Sequence, residues 1–194
     1  MSNIFFKKNY KKNIKFFFLR IIQKYVLFLN LKTNTDIKVL FNKDVISSNI
    51  LLNGVYEKEL LDFNLELCKK VGKLKNFSVA DIGANIGNHS LYFSNYFKKV
   101  YAFEAHPKIF SVNQLNTSNK KNIELFNFGL GDTNKNSFIY ENEHNMGGSS
   151  VINKVGKKIK IKILKLDKIK KIKKLLLIKI DVEDFEHQVL KGSL

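Results

Sequence analysis

The order of elements along this chain predicts an α/β fold with a mostly parallel sheet. Short apolar runs from Phe77 to Gly83, Val100 to Phe103, Ile123 to Phe128 and Leu175 to Ile180 read as strands, and helical patterns separate several of them. The first run ends in a glycine turn that opens directly into a helix at Asn88–Phe93. Strands joined through helices need crossover connections, which are right-handed and leave the strands parallel. The 194 residues, 44% of them hydrophobic, suffice for one such domain plus an N-terminal extension and hardly for two.

Taken in order, residues 1–31 are basic and apolar together, with lysines at 7, 8, 11, 12 and 15 leading into Phe16, Phe17 and Phe18. Apolar residues at Ile14, Phe17, Phe18, Ile21, Ile22, Tyr25, Phe28 and Leu29 follow helical spacing. Arg20 and Lys24 interrupt the run, so it is a poor transmembrane span, and no small-residue cleavage site follows it. An amphipathic helix is expected here, packed on the domain or lying on anionic lipid. Ile37 to Leu52 suits two short lead-in strands, and Tyr56 to Val71 reads as a helix through Leu60, Leu61, Leu65 and Leu67. These assignments divide the chain into an extension over residues 1–55 and a main domain over 56–194.

Within the main domain Pro107 stands where the first turn of a helix would begin, its φ already suitable. The chain turns polar from Ser137 to Val155, which reads as an inserted loop centred on Asn145–Ser150. Lys158 to Ile163 alternates lysine with isoleucine, a strand with one buried face whose lysines are expected to protect an edge. After a short basic helix comes the Leu175–Ile180 strand, ending at Asp181; Val182, Phe185 and Val189 then mark a helix with Gly192 as its C-terminal cap.

Charge says less than its size suggests. Acids number 17 against 34 bases, for a net charge of +17, but Arg20 is the only arginine and lysine is abundant everywhere. Selection for phosphate contacts would favour arginine's bidentate fork, so a compositional origin is preferred and nucleic-acid binding is not expected. Cys68, the single cysteine, cannot form an internal disulfide and falls on the apolar side of a helix, as a buried thiol; a reducing cytoplasm fits.

The most informative stretch is Asp81-Ile-Gly83-Ala84-Asn85-Ile-Gly87. Glycines at a strand-to-helix turn let backbone approach a ligand and leave helix N–H groups facing it. A dinucleotide fingerprint would place glycine at 81, 83 and 86; the sequence has Asp81, Gly83 and Ile86. An acid at 81 repels pyrophosphate and suits a cofactor whose near end carries an ammonium and a sulfonium. Glu104, at the end of the second strand and 21 residues after Gly83, is placed to accept hydrogen bonds from ribose hydroxyls.

With these segments the chain resembles the FkbM-type methyltransferases, a family of S-adenosylmethionine-dependent enzymes acting mostly on hydroxyls of sugars and small metabolites. The resemblance runs from about Tyr56 onward and rests on Val79–Gly87, Val100–Ala105 with Pro107, Asn145–Ser150, Leu166-Asp167, Ile178–Glu183 and Val189–Gly192. It implies a Rossmann-like class I methyltransferase sheet and S-adenosylmethionine as cofactor. It further implies that Asp81, Gly83, Asn85 and Gly87, with Ala84 among them, surround the cofactor's methionine part. By the same resemblance Glu104 holds the ribose, and the loop near Gly131 and Asp132 the adenine. Two departures stand out. The family's Asp-Val-Glu-Gly reads Asp181-Val-Glu183-Asp184, and the family's sheet continues for three further strands where this sequence ends, which suggests C-terminal truncation.

For catalysis, Asp181 and Glu183 follow the strand beside the cofactor strand and are the first candidates for orienting the acceptor or taking its proton. His106, next to Glu104, is the best placed of four histidines as an alternative base. No metal-binding spacing is present, so no metal is expected. The competing readings are a nucleotide-dependent oxidoreductase and a degenerate, non-catalytic fragment whose basic N-terminus binds membrane or nucleic acid. The location expected is the cytoplasm, with peripheral contact at the inner membrane face through residues 1–31.

Overall fold

The computed structural model describes residues 45–141 and 156–193, together with 17, 18, 21, 22, 24, 25, 36–38 and 151. The helices α1 (Val45–Asn53) and α2 (Lys58–Lys69) precede β1 (Ser78–Ile82), α3 (Asn88–Ser94), β2 (Lys99–Phe103), α4 (Pro107–Thr117) and β3 (Ile123–Phe126). Then come β4 (Gly129–Leu130), β5 (Lys135–Glu141), β6 (Lys157–Leu164), β7 (Leu175–Ile180) and α5 (Glu186–Lys191). The strands form two sheets. One is wholly parallel in the order β3-β2-β1-β7; the other is β4-β6-β5, with β4 parallel and β5 antiparallel to β6.

β1 is buried along its whole length because both faces of the parallel sheet are covered. Val79 faces Leu61 and Leu65 of α2 and Phe93 and Phe97, whereas Ala80 and Ile82 face Ile161 and Ile163 of the second sheet, with Phe185 and Val189. The period-two alternation of one short strand thus joins two cores. β1 lies between β2 and β7, so every loop at its C-terminal end is flanked on both sides, and that is where the site is built.

Three expectations need correction. Residues 45–53, read as strand, form α1: Ile46 and Ile50 pack on one side of it, at the i, i+4 spacing that a short β-branched run also offers to a strand. Residues 137–141, read as loop, belong to β5, where Ile139 is buried opposite Ile159; one inward residue between polar ones hides a strand. β6 is the middle strand of its sheet, so its lysines coat an outer face and protect no edge. As expected, Gly192 is the C-cap of α5; its φ is −89, and glycine is needed there because a Cβ would lie 2.0 Å from the Gly131 carbonyl oxygen. The Asn145–Ser150 segment lies outside the described residues.

Other expectations stand. Cys68 is buried, Pro107 opens α4, and Leu175–Ile180 pairs with β1. Phe17, Phe18, Ile21, Ile22 and Tyr25 are helical with their side chains exposed. Among the described residues no helix is long and apolar enough to cross a membrane.

Candidate active site

The turn after β1 is locked from within. Gly83 (φ +76) packs so tightly on the end of β7 that a Cβ would sit 1.8 Å from the Asp181 carbonyl oxygen. Gly87 (φ +95) likewise leaves no room for a Cβ, which would fall 2.8 Å from Asn113 Oδ1 on α4. The Gly83 and Ala84 N–H groups both donate to the Phe103 carbonyl, at 3.0 and 2.9 Å. The Asn85 N–H donates to Glu104 Oε2 at 2.9 Å, that of Ile86 to Asn85 Oδ1 at 2.7 Å and that of Gly87 to the Ala84 carbonyl at 2.9 Å. These N–H groups, expected to face a ligand, are engaged by β2 and by the turn itself. A phosphate would find no free donor cradle among them.

Asp81 lies behind this turn. It is fully buried, accepts a 2.6 Å hydrogen bond from Ser90 Oγ, and faces Lys179 Nζ at 3.3 Å through Oδ1. Strand register explains the pair, because Asp81 and Lys179 are direct neighbours across β1 and β7. Lys179 Nζ also donates to the Gly83 carbonyl at 3.0 Å and lies 3.5 Å from Asp181 Oδ2. Burial opposes the charge on Lys179, but Asp81 and Asp181 outweigh it and hold its pKa above the ordinary lysine value. The acid expected to meet a cationic cofactor is therefore already answered by a lysine of this chain.

In front of the turn, at the C-terminal ends of β1, β2 and β7, lies a cavity of about 400 Å³. Among the described residues its acidic lining residues are Glu57, Glu104, Asp181 and Glu183, and no lysine or arginine lines it. Gly83 and Asn85 form one wall; Leu130, Ile139, Ile161, Ile163 and Phe185 form an apolar wall opposite. Ala84, Gly87 and Asp81 are not among the lining residues, and they support the turn from behind.

Glu104 lines the cavity and is largely buried. Its Oε2 takes the Asn85 N–H and its Oε1 the His106 N–H, at 2.9 and 2.8 Å. Burial pushes its pKa up to about 7, against the pull of those two backbone donors. An sp² carboxylate with one donor on each oxygen keeps acceptor capacity for two more.

His106 is buried beside it, with Nδ1 accepting from the backbone N–H of Lys108 at 3.2 Å and of Ile109 at 3.5 Å, as the N-cap of α4. Its ring is held for a structural purpose, although it reaches the cavity.

The loop after β7 carries Asp181 and Glu183 at the mouth, both exposed. Partial burial, and then Asp181, Asp184 and Glu186, raise the Glu183 pKa above the usual carboxylate value. Asp184 has φ +71, the left-handed region that favours glycine. The position filled by glycine in the resembling family therefore keeps its backbone path here and accommodates aspartate, one of the few residues that tolerate it.

Asp132, in contrast, is not brought to the cavity; Gly129 and Leu130 are the members of that loop that line it. Sequence reasoning missed Lys179 and Glu57. A lysine inside the apolar run Leu177-Ile178-Lys179-Ile180 was a readable signal, since a lysine in a core strand needs an acid beside it. Nothing in the sequence brings Glu57 to this cavity.

No match to a curated protein was found. Solved structures similar to part of the chain include the YcgJ protein of Bacillus subtilis, with 19% identity and a TM-score of 0.32, covering 39% of this chain and 34% of that one. The precorrin 8w decarboxylase of Methanobacterium thermoautotrophicum is 18% identical at a TM-score of 0.33, covering 46% and 47%. A Haemonchus contortus phosphoethanolamine N-methyltransferase in complex with phosphoethanolamine and S-adenosylhomocysteine is 17% identical at a TM-score of 0.31, covering 54% and 21%. The chain thus spans less than half the length of each. The methyltransferase FkbM domain model matches residues 81–194, more than half of the chain and a shorter span than the resemblance from Tyr56. The fold is the Rossmann-like α/β arrangement with a mostly parallel sheet, and the chain belongs to the FkbM methyltransferase domain family.

Proposed function

We propose that the cavity binds S-adenosylmethionine and that the protein transfers its methyl group to a hydroxyl of a sugar or small metabolite. The observation that carries this reading is the charge of the cavity: in a chain of net charge +17, the described residues that line it include four carboxylates and no lysine or arginine. Such a lining disfavours a dinucleotide's phosphates and favours a cationic nucleoside. The backbone N–H groups of the β1 turn, already engaged, support the same choice.

When bound, S-adenosylmethionine supplies an electrophilic methyl carbon on a sulfonium. In this arrangement Glu104 accepts the ribose hydroxyls, and Gly83 and Asn85 provide a close backbone wall. The enzyme's main contribution is to hold an acceptor oxygen in line with the carbon–sulfur bond. With the sulfonium as methyl donor, the proton of the acceptor hydroxyl would go to a carboxylate of this chain. Asp181 and Glu183 stand at the mouth for that purpose, and the raised pKa of Glu183 suits it as the base. His106, with Nδ1 committed to the cap of α4, is the weaker candidate.

Incubating the protein with methyl-labelled S-adenosylmethionine and a panel of hydroxyl acceptors tests this. Label in a base-stable ether product is expected; label released by mild base would indicate a carboxyl acceptor and overturn the hydroxyl assignment.

A second property belongs to the N-terminal segment. Residues 1–31 contain no Asp or Glu, and Phe17, Phe18, Ile21, Ile22 and Tyr25 expose one apolar stripe, which supports peripheral contact with anionic lipid. Deleting residues 1–31 should abolish sedimentation with anionic vesicles and leave cofactor binding intact. Unchanged sedimentation would refute the contact.

A further inference from the structure

Glu57 stands outside the family-matched segment, yet its side chain reaches the cavity. It occupies the N-cap position of α2 with φ +56 and makes no capping hydrogen bond, so its carboxylate is not used to start the helix. The segment that carries it is clamped to the site. The Tyr56 N–H donates to Asn88 Oδ1 at 3.1 Å, Asn88 Nδ2 returns a bond to the Tyr56 carbonyl at 3.0 Å, and the Tyr56 ring stacks on His89. Asn88 and His89 open the helix that follows the β1 turn, so Glu57 is tied to the cofactor loop through two consecutive residues.

His89 fixes which end of the cavity this is. It is more than nine-tenths buried, and its Nε2 makes no hydrogen bond and faces Glu57 Oε2 at 3.4 Å. His89 is followed directly by Ser90, whose hydroxyl holds Asp81 Oδ2 at 2.6 Å, so Glu57 meets the helix start on the side of the turn where Asp81 lies. Burial holds His89 toward its neutral form, so it does not neutralise Glu57. Of the other carboxylates, Asp81 is buried against Lys179, Asp181 is within 3.5 Å of Lys179, Glu183 is exposed at the mouth in the acceptor role proposed above, and Glu104 is assigned to the ribose. Among the described residues Glu57 has no lysine or arginine partner.

We propose that Glu57 is a cofactor-binding residue that takes the α-ammonium group of the methionine end, in place of the buried Asp81. The proposal rests on S-adenosylmethionine being the cofactor. It assigns recognition of the amino-acid end to a part of the chain that the family domain does not include.

The test compares two ligands on the full chain: S-adenosylhomocysteine, which carries the ammonium, and 5′-methylthioadenosine, which keeps the nucleoside and thioether but lacks the amino-acid end. The wild type should bind the former more tightly. Glu57→Gln should weaken S-adenosylhomocysteine about tenfold and leave 5′-methylthioadenosine unchanged, and Glu57→Lys should weaken the former further. Unchanged S-adenosylhomocysteine affinity in Glu57→Gln would overturn the proposal while leaving the cofactor reading intact. Equal losses for both ligands would also overturn it, by showing that Glu57 shapes the cavity as a whole. Failure of the wild type to bind either ligand would defeat the cofactor reading itself, and the proposal with it.

Discussion

The cavity and the outer face of β6 use charge in opposite ways. On β6, Lys158, Lys160 and Lys162 alternate with buried or half-buried isoleucines and stand in solvent; Lys158 covers the Phe138 ring at 3.9 Å. These lysines put one face of the mixed second sheet in contact with water. The cavity collects four carboxylates and, among the described residues, no lysine. In a protein this rich in lysine, its presence on a surface says little about function. Its exclusion from a concave site says much more. Lys179 makes the arrangement work, because it neutralises Asp81 from behind and holds the Gly83 carbonyl.

The sharpest way to break this contrast is to remove that lysine. Lys179→Met leaves Asp81 fully buried without its cation, and breaking a buried ion pair costs about 3–5 kcal/mol. Urea unfolding should show a loss of that order, partly restored in the double variant Asp81→Asn/Lys179→Met. An additive double variant would mean that the two side chains do not form an energetic pair.

Next in size is Gly83→Ala. With φ +76 and the Asp181 carbonyl in the way, the added methyl should lower stability by about 2 kcal/mol or more and abolish S-adenosylhomocysteine binding. A variant of wild-type stability and affinity would show that the turn is not packed on β7 as described.

Glu104 tests the polar side of the cavity. Glu104→Gln should weaken S-adenosylhomocysteine about tenfold to a hundredfold, since hydrogen bonds to a charged group are worth about 1.5–3 kcal/mol. With a pKa near 7, ionised Glu104 is scarce below that pH, so wild-type affinity should rise about tenfold from pH 6 to pH 8, and Glu104→Gln should remove the rise. Stability should move the other way. A carboxyl whose folded-state pKa is raised from 4.5 to about 7 binds its proton more tightly when folded, so its contribution falls as pH increases across that window. Parallel pH profiles in wild type and variant would exclude Glu104 as the source.

The smallest effect belongs to Asp184. Asp184→Gly places the unstrained residue at φ +71 and should stabilise the protein by about 1 kcal/mol without changing cofactor affinity. A loss of stability would mean that the aspartate side chain, and not the backbone path, is what this position requires.

Much of the parallel sheet was legible because each of its strands is an apolar run bounded by a glycine, a proline or an acid, and the Asp81–Gly87 turn was legible from its glycine spacing. What escaped depended on neighbours distant in sequence. α1 and β5 were misread because a run as short as Val45–Asn53 or Lys135–Glu141 carries too few turns of either period to choose between helix, strand and loop. The roles of Asp81 and Asp132 were assigned by position in a motif, while burial and packing decide which side chain reaches a ligand: Lys179, 98 residues after Asp81, turns Asp81 inward, and the lining of the cavity passes through Gly129 and Leu130 instead of Asp132. Glu57 reaches the cavity only because Tyr56 is held by Asn88, 32 residues further on.

The most direct measurement of the central claim is a calorimetric titration of the folded, full-length chain with S-adenosylhomocysteine and, separately, with NAD. Saturable binding of the first and none of the second is expected of a phosphate-averse, carboxylate-lined cavity. Binding of NAD with equal or greater affinity would contradict the account.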